Sequence, residues 1–277
     1  MSLPVFGLVL LAAVLHALWN AVVRGAGDKL LTTILVAAVG ALVGIAVLPF
    51  LPPMAPGAWA YLGVSAVLEI AYYALVAVAY RHAEMSRAYP LMRGIPPLLV
   101  AVVSTAFLGT GLAPLEWTGV ALISAGILTM LVGGRGSGDR RGIAFAIVNA
   151  VVIACYTLTD GIGVRVSGSP IAYTMWIFVL TGVPLAAWAL LRRPDIVAYA
   201  RRNWGYGVVG GLGTLASYGL VLYAMTVAPV PLVAALRETS ILFGTAIAAL
   251  VLRERVTPVG VMAVLIIAAG AAVLRFA

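Results

Sequence analysis

Charged residues and cysteines are scarce in this sequence. Of its 277 residues, 9% are charged and 64% are hydrophobic, whereas an ordinary soluble domain carries about 25% charged residues. A soluble domain of this size needs a polar surface, so the composition excludes a cytosolic enzyme, a secreted domain and a disordered chain. Cys155 is the single cysteine and there are two histidines, which excludes an intrachain disulfide and leaves no ordinary ligand set for a metal. The sequence therefore predicts an integral membrane protein without a metal or a cofactor.

Catalytic and nucleotide-binding motifs are also missing. The sequence contains no HExxH, no GxSxG, no Walker A motif and no GxGxxG placed to open a βαβ unit. Without an ATPase domain, any transport must draw on an ion or substrate gradient. The net charge is +8. The basic residues lie in short loops, where they orient the spans and contact anionic lipid headgroups rather than nucleic acid. We expect a small-molecule substrate and the lipid bilayer as partners, no nucleic acid, and a monomer or weak homodimer.

Long apolar runs dominate what is present. A spanning helix needs about 20 apolar residues, and these runs are too long and continuous for the alternating strands of a β-barrel. The sequence predicts an all-α fold in which the first run is a membrane span and not a cleaved signal. The ten predicted spans are 3–23, 30–49, 58–80, 87–109, 115–133, 142–163, 170–191, 204–226, 231–252 and 256–275.

The two halves of the chain resemble each other. A shift of 144 residues aligns Arg93 with Arg237, and a shift of 145 aligns Tyr73 with Tyr218. Since five is an odd number of spans, the second half must enter the membrane in the opposite orientation, which makes an inverted repeat. We expect a first five-helix repeat over 1–133, a glycine- and charge-rich linker over 134–141 and a second repeat over 142–277.

The basic loop residues predict an orientation. Most of them follow the odd-numbered spans, and the positive-inside rule then places both termini outside the cytoplasm of a bacterial inner membrane. The odd-span loops carry Arg24, Lys29, Arg81, Arg87, Arg135, Arg140, Arg141, Arg192, Arg193, Arg201, Arg202, Arg253 and Arg255, and the opposite side carries Arg165 and Arg275.

Polar side chains inside predicted spans mark candidate sites, because a charge at the bilayer centre costs at least about 2.5–3.5 kcal/mol. In span 1, His16, Trp19 and Asn20 share a helix face at i, i+3 and i+4 spacing. That face fits a cavity wall with an imidazole and a stacking indole, or a polar seam packed against a neighbouring helix.

Span 3 presents Glu69, Tyr72 and Tyr73 on one face, with the carboxylate near the midplane. Glu69 fits a protonatable or cation-binding group flanked by aromatics, or a structural ion pair with Arg93. Arg93 stands among prolines in span 4, where it fits either a site for a carboxylate or phosphate or a side chain snorkelling to the interface.

Spans 6 and 9 carry the remaining charges. Tyr156 and Asp160 lie on one stripe of span 6, and Asp160 fits a residue that caps the end of the span or pairs with Arg165. Arg237 and Glu238 are adjacent in span 9, about 100° apart on a helix, so we expect each to reach a different neighbour.

Several local patterns resemble the EamA branch of the drug/metabolite transporter superfamily. They are His16-Ala17-Leu18-Trp19-Asn20, Tyr156-Thr157-Leu158-Thr159-Asp160-Gly161 with Arg165, the Arg237-Glu238 step and the Arg253-Glu254-Arg255 turn. Members of that branch often have Glu-Pro where this chain has Glu238-Thr239. The resemblance implies a ten-helix transporter of small metabolites or drugs.

Together, these observations predict a secondary transporter that exports or exchanges amino acids or similar zwitterions. The alternatives are a cation or drug exporter and a membrane-embedded lipid-modifying enzyme. We expect proton coupling at Glu238 first and at Glu69 second. The predicted substrate-binding residues are His16, Trp19, Asn20, Glu69, Tyr72, Tyr73, Arg93, Tyr156, Tyr218, Arg237 and Glu238.

Overall fold

Eleven α-helices make up the chain in the computed structural model, which describes residues 1–133, 139–251, 253 and 256–277. Within these residues, ten helical segments are long and apolar enough to cross a membrane. The helices are α1 (Leu3–Arg24), α2 (Lys29–Val47), α3 (Ala58–His82), α4 (Met85–Phe107), α5 (Pro114–Gly133), α6 (Arg140–Ser167), α7 (Pro170–Arg192), α8 (Ile196–Val227), α9 (Val230–Arg237), α10 (Ser240–Leu250) and α11 (Pro258–Phe276). The prediction of an all-α membrane protein with ten spans is confirmed.

Proline, glycine and capping side chains set the helix ends. Pro170 and Pro258 occupy the first positions of α7 and α11, where the missing N–H costs nothing. Gly168 ends α6 with a φ of 63°, which a residue with a Cβ rarely adopts. Asp28 accepts a hydrogen bond from the Leu31 N–H at the start of α2, which satisfies one of the donors that a helix leaves free.

Two spans differ from their predicted form. Helix α8 begins at Ile196, eight residues before the predicted span, because two helices join across a kink at Asn203. Span 9 consists of α9 and α10, with Glu238 and Thr239 between them.

Parts of two predicted segments lie outside the described residues. Of the predicted linker, residues 134–138 lie there, while Arg140 and Arg141 already belong to α6. In the Arg253-Glu254-Arg255 turn, the second and third residues lie outside as well.

The closest helix pairs cross between the two halves of the sequence. Helix α3 packs along α6, α1 along α8, α2 along α7, and α5 along α11. Glycine permits this approach: a Cβ on Gly126 would lie 3.0 Å from the Ile267 nitrogen, and one on Gly142 2.7 Å from the His82 carbonyl carbon. Short α9 lies among these helices with all of its residues buried, and it contacts α1, α4, α5, α6 and α8. The charged end of α9 is therefore placed in the interior of the bundle.

Candidate functional site

Three charged side chains meet where α9 ends, and we call Arg93, Arg237 and Glu238 the arginine trio. Glu238 Oε2 lies 2.8 Å from Arg93 Nε of α4, and Glu238 Oε1 lies 3.5 Å from Arg237 Nη2. Exposed fractions are 13% for the Arg93 side chain, 8% for Arg237 and 2% for Glu238. One carboxylate thus stands between two buried guanidiniums, and the trio carries a net charge of +1.

The trio lies at the helix break between α9 and α10. The N–H groups of Glu238 and Thr239 donate to the carbonyls of Ala235 and Leu236, both at 3.0 Å. These i→i−3 bonds tighten the last turn into 3₁₀ geometry. The break forms with Thr239, and not a proline, directly after Glu238. We expected Arg237 and Glu238 to reach different neighbours. Glu238 does contact Arg93 of α4, but it also lies 3.5 Å from Arg237, because both long side chains can bend toward each other.

The trio keeps unsatisfied donors. Arg93 Nη2 and Arg237 Nε are buried, and neither nitrogen forms a hydrogen bond at strict geometry with the described residues, although the Tyr89 hydroxyl lies near Arg93. A buried donor without a partner costs about 1–3 kcal/mol, and more when it is charged. These nitrogens are therefore suited to an acidic group that enters from outside the protein.

Aromatic rings line the region between α3 and α6. The Tyr72 ring lies 5.1 Å from Tyr73 and 6.0 Å from Tyr156, both edge to face. Tyr72 and Tyr156 are near enough to Arg93 and Arg237 to interact electrostatically with them. The structure therefore brings these predicted residues to the arginine trio.

Asp160 is a second buried charged group, and its partners differ from those that the sequence predicted. The hydroxyl of Tyr173 donates to Asp160 Oδ1 at 3.0 Å, and that of Tyr218 donates to Asp160 Oδ2. Asp160 is fully buried. The expected partner Arg165 instead donates to the carbonyls of Met225 and Ala228, at 2.6 and 2.7 Å. We expected Asp160 to cap the end of the span or to pair with Arg165. Both expectations were wrong, because α6 continues two turns beyond Asp160, to Ser167.

Glu69 lies close to Asp160, and we call the two the carboxylate pair. Glu69 is half-buried and near enough to Asp160, Tyr218 and Arg237 to interact electrostatically. In the part of the chain that the structure describes, no Arg or Lys forms an ion pair with Glu69. The ion pair that we considered between Glu69 and Arg93 is replaced by the one between Arg93 and Glu238.

The predicted face of span 1 is partly turned toward the trio. His16 packs edge to face on Trp19, with ring centroids 5.3 Å apart, and it lies near both arginines. Trp19 Nε1 is buried and has no hydrogen-bond partner among the described residues. Asn20 is exposed and donates to the His16 carbonyl at 2.7 Å, so its amide satisfies the helix backbone.

Two cavities lie away from these residues, near opposite ends of the bundle. One, of about 250 Å³, is formed by the start of α4, the end of α5 and the start of α11. The other, of about 280 Å³, lies beside Trp59 and Trp176 and the segment after α2. Neither is lined by a residue that we predicted for substrate binding.

Comparisons with known proteins agree with this architecture. The model of the EamA-like transporter family matches residues 140–276. A protein of known crystal structure is 21% identical, with a TM-score of 0.74 over 97% of this chain and 94% of that one, a likeness that shows the fold. A search of curated proteins finds no significant match. With its ten apolar spans, the chain belongs to the EamA-like transporter family and is a multi-pass membrane transporter of the drug/metabolite superfamily.

Proposed function

We propose that this protein is a secondary transporter that exports or exchanges small polar metabolites, with amino acids or similar zwitterions as substrates. The observation that carries the proposal is the arginine trio. Two buried guanidiniums share one carboxylate and keep free N–H donors in the membrane interior. A charged donor without a partner is costly at that depth, so these free N–H groups are best explained by an acidic group on the substrate.

The geometry of guanidinium favours a carboxylate in this position. Its planar N–H groups bind carboxylates or phosphates in parallel pairs, and such bonds are about twice as strong as those between neutral groups. Arg93 Nη2 and Arg237 Nε are the donors that the substrate would engage. Either arginine can bind the substrate without releasing Glu238. Glu238 contacts Arg93 Nε and Arg237 Nη2, whereas the substrate would engage Arg93 Nη2 and Arg237 Nε.

The rest of the site fits a small organic molecule. The proposed lining combines tyrosine rings, which contribute apolar contact area, with a few polar tips that orient the substrate. Beside the trio, it consists of His16, Trp19, Asn20, Glu69, Tyr72, Tyr73, Tyr156 and Tyr218.

Alternating access between two inverted repeats is the proposed mechanism. Exchanging the repeats turns the α3–α6 contact into the α8–α1 contact, and both occur in the structure. The α2–α7 and α5–α11 contacts map onto themselves. This pattern supports repeats over 1–133 and 142–277, each able to take the other's conformation.

We place the protein in the bacterial inner membrane, as a monomer or weak homodimer. The loop charges support an orientation with both termini outside the cytoplasm.

A cation or drug exporter is the second candidate. The observation that favours it is the carboxylate pair among tyrosines, since carboxylates and aromatic faces both attract organic cations. In that case the two arginines and Glu238 would be purely structural.

Flux through proteoliposomes distinguishes the two candidates. Purified full-length protein would be tested with labelled amino acids, amines and phosphonates, with and without a pH gradient. We expect uptake of substrates that carry an acidic group, and competition among them. Uptake of plain amines alone would overturn the proposal and favour the cation exporter.

A further inference from the structure

The carboxylate pair lies between two helices that pack along their length. Glu69 is on α3, Asp160 is on α6, and the ring contact of Tyr72 with Tyr156 lies one turn away from both. Tyr218 of α8 is close to both carboxylates. Like charges so near each other cannot both be ionised at low cost without a cation between them.

The two members of the pair have different surroundings. Both oxygens of Asp160 accept a hydroxyl hydrogen, one from Tyr173 and one from Tyr218. Hydrogen bonds to an ionised carboxylate are strong and stabilise its charge. Glu69 has Tyr218 as its one hydroxyl neighbour, shared with Asp160, and no basic ion-pair partner among the described residues, so Glu69 is the member on which a proton is less costly.

A buried hydroxyl beside the pair favours an ionised Asp160 next to a protonated Glu69. Ser65 stands one turn before Glu69, is fully buried and lies next to Asp160. Its Oγ interacts with the Asp160 carboxylate, although not at strict hydrogen-bond geometry among the described residues. A hydroxyl donates one hydrogen and keeps free lone pairs, so Ser65 can stabilise an ionised Asp160 and also accept the O–H of a protonated Glu69.

The charge count of the buried centre requires one more positive charge. When all are ionised, two arginines and three carboxylates leave a net charge of −1 among Arg93, Arg237, Glu238, Glu69 and Asp160. One proton makes the set neutral, and neutrality is strongly favoured in a membrane interior. His16 does not supply the charge, because it lies beside both arginines, which repel a third cation.

We propose that Glu69 and Asp160 share a single proton, carried as an O–H bond on Glu69 beside an ionised Asp160, and that this proton couples transport to the pH gradient. The proton comes from water on one side of the membrane and returns to water on the other side. The inference rests on the proposed function in taking the chain for a gradient-driven transporter. Other ionisable groups facing the pair are Tyr72, Tyr73, Tyr156, Tyr173, Tyr218 and Arg237.

This assignment differs from the order that we expected from the sequence. Each oxygen of Glu238 already contacts an arginine, so protonation of Glu238 would weaken both ion pairs at once. Glu69 faces no such cost, and it becomes the first candidate for the coupling group.

Infrared difference spectroscopy of the full chain in lipid tests the proposal without any substrate. A pH titration should reveal the carbonyl stretch of one protonated carboxyl group inside the natural protein. Glu69→Gln should abolish this band. Asp160→Asn should abolish it as well, because the centre is then neutral with Glu69 ionised. Glu116→Gln is the matched control, since Glu116 lies at the start of α5, and it should leave the band unchanged.

A band that persists in Glu69→Gln would overturn the proposal. So would a band that disappears from the natural protein when sodium replaces choline at constant pH, because the pair would then bind sodium. If Glu69→Gln does not fold, Asp160→Asn decides by the same criterion. Since no substrate is present, failure here is distinguishable from failure of the flux experiment.

Discussion

The arginine trio and the carboxylate pair both place charged groups inside the membrane, but the excess charge has opposite sign in the two and is stabilised by different partners. In the trio, an excess of positive charge is held by direct ion pairs to Glu238. In the pair, an excess of negative charge is held by tyrosine hydroxyls, with no described Arg or Lys in ion-pair contact. The first arrangement keeps donors free for an anion, and the second keeps a place for a proton. The difference teaches that one buried centre can bind substrate and coupling ion through separate groups.

Removal of the carboxylate from the trio should have the largest effect on stability. Glu238→Gln removes the carboxylate that contacts both guanidiniums, and breaking a buried ion pair by removing one partner costs about 3–5 kcal/mol. Thermal unfolding in detergent, followed by intrinsic fluorescence, measures the loss.

The comparison needs a control and a compensating variant. Glu116→Gln makes the same chemical change at the start of α5 and should alter the unfolding temperature little. The double variant Arg93→Gln with Glu238→Gln should recover part of the loss, because it also removes one uncompensated cation. If Glu238→Gln unfolds at the same temperature as Glu116→Gln, the trio is not the coupled unit that we describe.

Removal of a hydroxyl from the pair should have a smaller effect. Tyr173→Phe keeps the ring but leaves one oxygen of buried Asp160 without its donor, which costs about 1–3 kcal/mol. The same unfolding assay measures it, with Tyr223→Phe at an exposed position of α8 as the control. Equal unfolding temperatures for the two variants would contradict the role of Tyr173 in stabilising Asp160.

The number of spans could be predicted because apolar length alone specifies a membrane helix. The start of α8 could not be predicted in this way, because Arg201 and Arg202 belong to the helix but lie outside the apolar stretch. A hydropathy pattern marks where a helix enters the membrane and not where its hydrogen bonds begin.

The candidate site was predictable where residues lie on one helix face. The spacing of Tyr72 and Tyr73 relative to Glu69 placed these rings correctly together. The bond between Tyr173 and Asp160 joins different helices, and no local pattern in the sequence encodes it. The contact of Glu238 with Arg93 also joins different helices, and the helix break at Glu238 and Thr239 is not marked by a proline in the sequence.

A surface ion cluster should show the smallest effect of the three. Arg193 contacts Asp28 at 3.2 Å and Asp195 at 3.1 Å, linking the loops beside α2 and α8. Exposed pairs contribute little and are screened by salt. Arg193→Gln should therefore shift the unfolding temperature slightly at low salt and not at high salt.

The pH dependence of this cluster has a defined sign. The hydrogen bond from Arg193 lowers the pKa of the Asp195 carboxyl. The group therefore stabilises the fold at neutral pH, and this contribution is lost as the pH falls through the folded-state pKa, in acid. A salt-independent loss in Arg193→Gln, or a loss that grows toward low pH, would show that the cluster does more than we describe.

Substrate selectivity of Arg237→Gln in proteoliposomes tests the central claim most directly. The account predicts that this change weakens transport of acidic or zwitterionic substrates about tenfold or more relative to plain amines, because a charge-assisted contact to the substrate is lost and about 1.4 kcal/mol corresponds to tenfold. Arg275→Gln, in the last turn of α11, should leave the ratio unchanged. An equal loss for acidic substrates and amines in Arg237→Gln would contradict the account and assign Arg237 a structural role.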